Sequence, residues 1–178
     1  MTHFLEQISD VASTGDFRRY VLLLADERAT VTTRSLEEYL RALWSLIQQA
    51  QAKLVTYALL GQLLHDAFLV EPLLFDEMWL QYEAPPDLDE DENQNSFPVL
   101  QQMIGYQIAD LHRMDQAGLL ENEWRYYGID SPTGHRWFNF DPSSYLQCAV
   151  QSLQEDGVST EAGWINLAIL LWLGQIYE

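Results

Sequence analysis

From Leu36 to Phe68 an apolar or small residue returns every three to four positions: Leu36, Leu40, Leu43, Ile47, Ala50, Leu54, Ala58, Gly61, Leu64 and Phe68. No breaker interrupts the stripe until Pro72. A period near 3.6 places these residues on one side of an α-helix, whereas a strand would change face every second residue. The stretch predicts either one long helix or two stacked ones, and it commits the chain to a core built from helices. Ser35 followed by Glu38 has the capping-box pattern, which sets the start near Leu36. Gly61 falls on the stripe itself, where its missing side chain lets another helix approach closely.

The flanking sequence supplies further elements. Residues 2 to 13 predict a short helix with Thr2 as N-cap and Phe4, Leu5, Ile8 and Val11 or Ala12 at helical spacing. Ser13-Thr14-Gly15-Asp16 reads as a break, followed by a second helix from about Phe17 to Glu27 that buries Phe17, Tyr20, Val21 and Leu24. Pro72 suits the first turn of a short helix around Leu73 to Tyr82. Residues 84 to 95 hold Pro85-Pro86 and then Asp87, Asp89, Glu90, Asp91 and Glu92, which repel one another and predict a mobile acidic loop. Ser96 caps a further helix that has Pro98 in its first turn and Leu100, Ile104, Ile108 and Leu111 on one face; Gly118 ends it.

From Trp124 the period becomes extended, and Ser131-Pro132-Thr133-Gly134 is a turn pattern, so a β-hairpin is expected there. Asp141-Pro142 then starts a helix with Tyr145, Cys148 or Ala149, and Ser152 or Leu153 on one side. A final helix from Gly163 to about Ile176, apolar on nearly every side, is expected at the centre. The predicted fold is mainly α, a single-domain helical bundle-like core over residues 1–178 with one aromatic-rich β-hairpin packed on it. A chain of 178 residues suits one shared core, and 48% hydrophobic residues suffice to offset the entropy of ordering it.

The start of the chain lacks a basic segment followed by an apolar run and a small-residue cleavage site, so export is not expected. Trp164 to Leu173 carries no charge but is shorter than the ~20 residues a membrane span needs. A single cysteine, Cys148, excludes an intrachain disulfide and a cysteine-based zinc cluster. A reducing, cytoplasmic compartment is expected.

The formal net charge is -18, and it is unevenly placed. Up to Lys53 six basic residues face seven acidic ones, whereas from Leu54 to His112 there are eleven carboxylates and no Lys or Arg. Beyond Arg136 five acids occur without a base. Such a field repels phosphate backbones and anionic lipid headgroups, which argues against general nucleic-acid or membrane-surface binding. Two readings fit: the carboxylates keep a cytosolic protein soluble, or they complement a basic protein partner.

Residues that carry chemistry are sparse. The Glu-x-x-His pattern of di-iron bundles is missing, because Gln62, Ala109 and Pro132 stand three before His65, His112 and His135. His112 with Asp115 and His65 beside Asp66 are pairs that 27 acidic residues produce by chance, so no metal or cofactor is expected. Cys148 reads as packing, Lys53 is the only lysine, and neither a Gly-x-Ser-x-Gly elbow nor a Walker loop occurs.

The densest unusual feature is Trp124, Tyr126, Tyr127, Trp137, Phe138 and Phe140, with Arg125, His135 and Arg136 among them. On alternation both faces of the hairpin are aromatic, so burial on both sides is the first explanation; the other is a recognition surface, since aromatic residues and Arg are what interface hot spots favour. Candidate partner-binding residues are therefore Asp87, Asp89, Glu90, Asp91 and Glu92 in the loop, and Trp124, Tyr126, His135, Arg136 and Trp137 in the hairpin. A helix ending at Ala117-Gly118-Leu119-Leu120 before such a hairpin resembles the recognition-helix-and-wing order of winged-helix domains. Those domains need basic residues along the helix, and here it supplies only His112 and Arg113, so DNA reading is not expected. The function expected is that of a non-enzymatic acidic interaction protein, inhibitor- or immunity-like. The competing expectation is an enzyme or small-ligand binder with a pocket between hairpin and helices, using His112, His135 and Arg136.

Overall fold

The computed structural model describes residues 8, 10–29, 34–50, 56–83, 97–116, 142–151 and 153. Among them are five α-helices: α1 (Thr14–Ala29), α2 (Leu36–Gln49), α3 (Tyr57–Asp66), α4 (Phe97–Gln116) and α5 (Pro142–Gln151). A 3-10 turn, Glu77–Gln81, lies between α3 and α4.

The break expected at Ser13-Thr14-Gly15-Asp16 falls earlier: residues 10–13 are non-helical, Ser13 caps α1, and Thr14, Gly15 and Asp16 form its first turn. The Ser13 hydroxyl accepts from the Asp16 N–H at 3.1 Å, and its carbonyl accepts from the Phe17 N–H at 3.0 Å. The Asp16 carboxylate accepts in turn from the Ala12 N–H at 3.3 Å. Hydrogen bonds with Ser13 and Ala12 hold that carboxyl below its ordinary value. Polar residues that compete with a helix from outside thus satisfy its orphan donors when they sit at its entrance.

The long stripe resolves into two helices. Ser35 and Glu38 cap α2 reciprocally, with Glu38 N–H to Ser35 Oγ at 3.2 Å and Ser35 N–H to Glu38 Oε2 at 2.9 Å. Thr56 opens α3 by accepting from the Leu59 N–H at 3.2 Å. Leu36, Leu40, Leu43, Ile47, Ala50, Leu64 and Phe68 are all buried, as the stripe requires.

Helix α1 packs on α3 and α5, and α2 packs on α4, α3 and α5. Buried side chains from all five helices form one hydrophobic cluster. The meeting of α1 and α3 is close at Gly61: a Cβ there would stand 3.1 Å from Cε1 and 3.2 Å from Cδ1 of the Tyr20 ring. Phe17 and Tyr57 pack nearby with ring centroids 5.2 Å apart, and the Thr14 and Tyr57 hydroxyls are hydrogen-bonded at 2.9 Å. The end of α5 is tied to α1 by Arg18, which donates to the carbonyls of Val150 (3.1 Å) and Leu153.

Gly61→Ala sets a helix-propensity gain of about 1 kcal/mol against overpacking of about 1–3 kcal/mol. Tyr20 is only 3% exposed, so its ring has little room to yield and the overpacking prevails. A net loss of about 1 kcal/mol in urea denaturation is expected, reduced in the background of Tyr20→Leu.

The expectation of a helical core carrying an aromatic-rich β-hairpin is corrected. The described residues are mainly helical, and no strand or sheet occurs among them. The hairpin rested on alternation of aromatics from Trp124 to Phe140, residues that lie outside those described. Alternation over so short a run is a local pattern, and a two-stranded ribbon gains its stability only from what it packs on. The helix expected at Gly163 to Ile176 and the loop at 84 to 95 also lie outside the described residues, as do residues 2–7 and 9 of the helix expected at 2 to 13; residues 10–13 of that span are described and are not helical.

Candidate functional site

The helix expected from Leu73 to Tyr82 is replaced by a different arrangement. After α3 the chain turns at Asp66, whose carbonyl accepts from the N–H groups of Leu69 (2.8 Å) and Val70 (3.0 Å). Glu71 to Asp76 then run without regular structure, and Asp76 caps the 3-10 turn by accepting from the Met78 N–H at 2.9 Å. Two carbonyls that a helix would have used internally are taken by side chains. Arg41 of α2 donates to Leu73, and the Trp79 indole N–H donates to Leu74 at 3.2 Å. The result is a strap lying along α2 and α4.

Three anchors hold its inner side. Trp79 is fully buried and meets Trp44 of α2 edge to face, with centroids 4.9 Å apart at 77°. Phe75 stacks on His112 of α4 at 3.6 Å and 14°. Beside that stack, Glu37 of α2 has its Oε1 3.7 Å from Arg41 Nε and 3.9 Å from His112 Nδ1. Tyr82 lies against Gly105, where a Cβ would stand 2.8 Å from its ring, and Arg113 donates to the Tyr82 carbonyl at 3.4 and 3.5 Å.

The outer side is apolar and acidic. Leu74 is 86% exposed, and Leu69, Leu73, Met78 and Leu80 are also exposed. Glu71, Asp76, Glu77 and Glu83 are exposed beside them. Isolated exposed leucines are ordinary on any protein surface, but here four leucines and a methionine are exposed between positions 69 and 80.

Of the candidate partner-binding and pocket residues, only His112 is in a described part of this region, and it serves as a stacking platform for Phe75. His135 and Arg136, its expected companions in a pocket, lie outside the described residues. The same holds for Asp87, Asp89, Glu90, Asp91, Glu92, Trp124, Tyr126 and Trp137. His65 is buried, with Nδ1 2.9 Å from Asp66 Oδ1. No group of three or more His, Cys, Asp or Glu positioned to hold a metal ion occurs among the described residues, and none of their helices is long and apolar enough to cross a membrane.

The strap had a sequence signal. Leu73, Leu74, Phe75, Met78, Trp79 and Leu80 would surround a helix on every side, so a surface segment of this kind must leave some of them exposed. No protein-family model, curated protein or solved structure matches the chain.

Proposed function

We propose that this chain is a non-enzymatic acidic interaction protein of the cytoplasm that binds a basic protein partner, in the manner of an inhibitor or immunity protein covering a positive cleft. One observation carries the reading. The strap with its exposed leucines belongs to the stretch Leu54 to His112, which holds eleven carboxylates and no Lys or Arg. Complementary charge speeds encounter and selects the partner, while apolar contacts set the lifetime of the complex. Asp87, Asp89, Glu90, Asp91 and Glu92 follow the strap in sequence and add to the same field.

The test is stopped-flow association with a basic protein captured from native extract, across a salt series. Replacing these five carboxylates with Asn and Gln is expected to lower the association rate about tenfold at low salt and to flatten its salt dependence. Dissociation should change little. Equal association rates for the native and neutralised chains at low salt assign the carboxylates to solubility and remove the reading.

A further inference from the structure

We propose that the outer face of the strap is the seat of one kind of occupant: an amphipathic segment of a partner protein, with leucine-like side chains flanked by Lys and Arg. This rests on the basic-partner reading and adds to it the site and the chemistry of the segment that fills it.

The strap cannot turn its leucines inward, because the backbone that carries them is fixed. The Leu73 and Leu74 carbonyls are engaged by Arg41 and Trp79, and the ring of Phe75 between these anchors is stacked on His112. Leu74, Met78 and Leu80 are therefore held outward before any partner arrives, which lowers the ordering cost of binding. Glu71, Asp76 and Glu77, interspersed with them along the strap, are exposed as well, so the segment offers apolar side chains and carboxylates together, as interfaces do.

The charge fixes the sign of the occupant. Among the described residues, the guanidiniums of Arg41 and Arg113 beside the strap are turned to backbone and carboxylates of the chain itself, Arg41 to Leu73 and Glu37, and Arg113 to Tyr82 and Asp110. Each copy of the chain carries -18, so a second copy brings the same field and is repelled, as are anionic membranes and nucleic acids. An amphipathic segment with cationic flanks meets both the leucines and the carboxylates.

The experiment uses the full chain and three fluorescent peptides of equal length, measured by anisotropy. One has Leu at i, i+3, i+4 and i+7 with Lys elsewhere, one replaces each Leu with Ser, and one replaces each Lys with Glu. The Leu/Lys peptide is expected to bind best, and Leu74→Ser with Met78→Ser to weaken it about ten- to hundredfold. The thermal midpoint should be unchanged, because both side chains are exposed. Leu80→Ser, at a third exposed site, repeats the test. The Ser/Lys peptide should bind native and variant chains alike, weakly, and be released by salt, while the Leu/Glu peptide should not bind.

If the strap variants bind the Leu/Lys peptide as tightly as the native chain, the seat is elsewhere and this proposal fails. Continued salt-sensitive binding of both cationic peptides then leaves the broader basic-partner reading standing. Absence of binding by either cationic peptide at low salt overturns both. A dimer in sedimentation that the strap substitutions abolish gives the face to a second copy, and binding to anionic vesicles that they abolish gives it to a membrane; either result overturns the proposal.

Discussion

Trp79→Ala is expected to lower the unfolding free energy by about 3–5 kcal/mol, the range for emptying a site that held a large aromatic side chain. Trp79 is fully buried, its ring fills the space between the strap and Trp44, and its indole N–H satisfies the Leu74 carbonyl. Alanine removes the ring, the edge-to-face contact and the donor together, so the loss includes more than transfer of apolar area. Trp79→Phe separates these contributions. It keeps an aromatic ring against Trp44 but no longer donates to Leu74, and about 1–2 kcal/mol should be lost. Urea denaturation measures the free energy, and hydrogen exchange at residues 73–82 measures release of the strap. A Trp79→Ala protein with native stability and native protection there would show that the strap is not held from beneath.

Parts of this arrangement were open to reading from the sequence because local chemistry determined them. Ser35 and Glu38 lie at capping-box spacing, and the reciprocal bonds form. Gly61 sits on an apolar stripe, and Tyr20 of α1 occupies the room it leaves. The interruption between α2 and α3 was harder, since Ala50, Leu54 and Ala58 continue the period across it and only Thr56, a modest cap signal, marks the restart. Thr14 to Asp16 have the composition of a break and yet form the first turn of α1, because polar residues that compete with a helix interior suit its entrance. The strap was unreadable as a helix or strand because its apolar residues have no period. Its path is set by Arg41, Trp44, His112 and Arg113, which are distant in sequence and reveal themselves only in three dimensions. The acidic loop and the aromatic cluster stand out in the sequence by charge and aromatic density alone, and those signals carry no geometry.

Alkaline pH is expected to unfold the protein more steeply than its acidity suggests, through buried tyrosines. Burial is the main cause that raises Tyr39 and Tyr145 well above the ordinary 10.0, and it raises Tyr20 as well. The Tyr39 hydroxyl donates to the Leu64 carbonyl at 2.9 Å, and that of Tyr145 to Gln107 Oε1 at 2.6 Å, bonds that the neutral forms alone can make as donors. A pKa raised by folding contributes stability that is complete below the unfolded value and is lost as pH rises through the folded one. Above pH 10 the unfolded chain releases these protons while the native chain retains them. Each tyrosine then costs about 1.4 kcal/mol per pH unit, and Tyr39 and Tyr145 together about 2.7 kcal/mol per unit, with Tyr20 acting in the same direction. Tyr39→Phe should lower stability at pH 8 by about 1 kcal/mol, since the Leu64 carbonyl loses its donor. The same substitution removes one proton from the linkage and about halves the two-tyrosine slope. Native and Tyr39→Phe proteins should therefore converge in stability about one pH unit above 10. Urea midpoints between pH 8 and 11.5, read with tyrosinate absorbance, measure both effects. A native protein whose stability stays flat across that interval, or a variant with an unaltered slope, would show that Tyr39 ionises in the folded chain as freely as in the unfolded one.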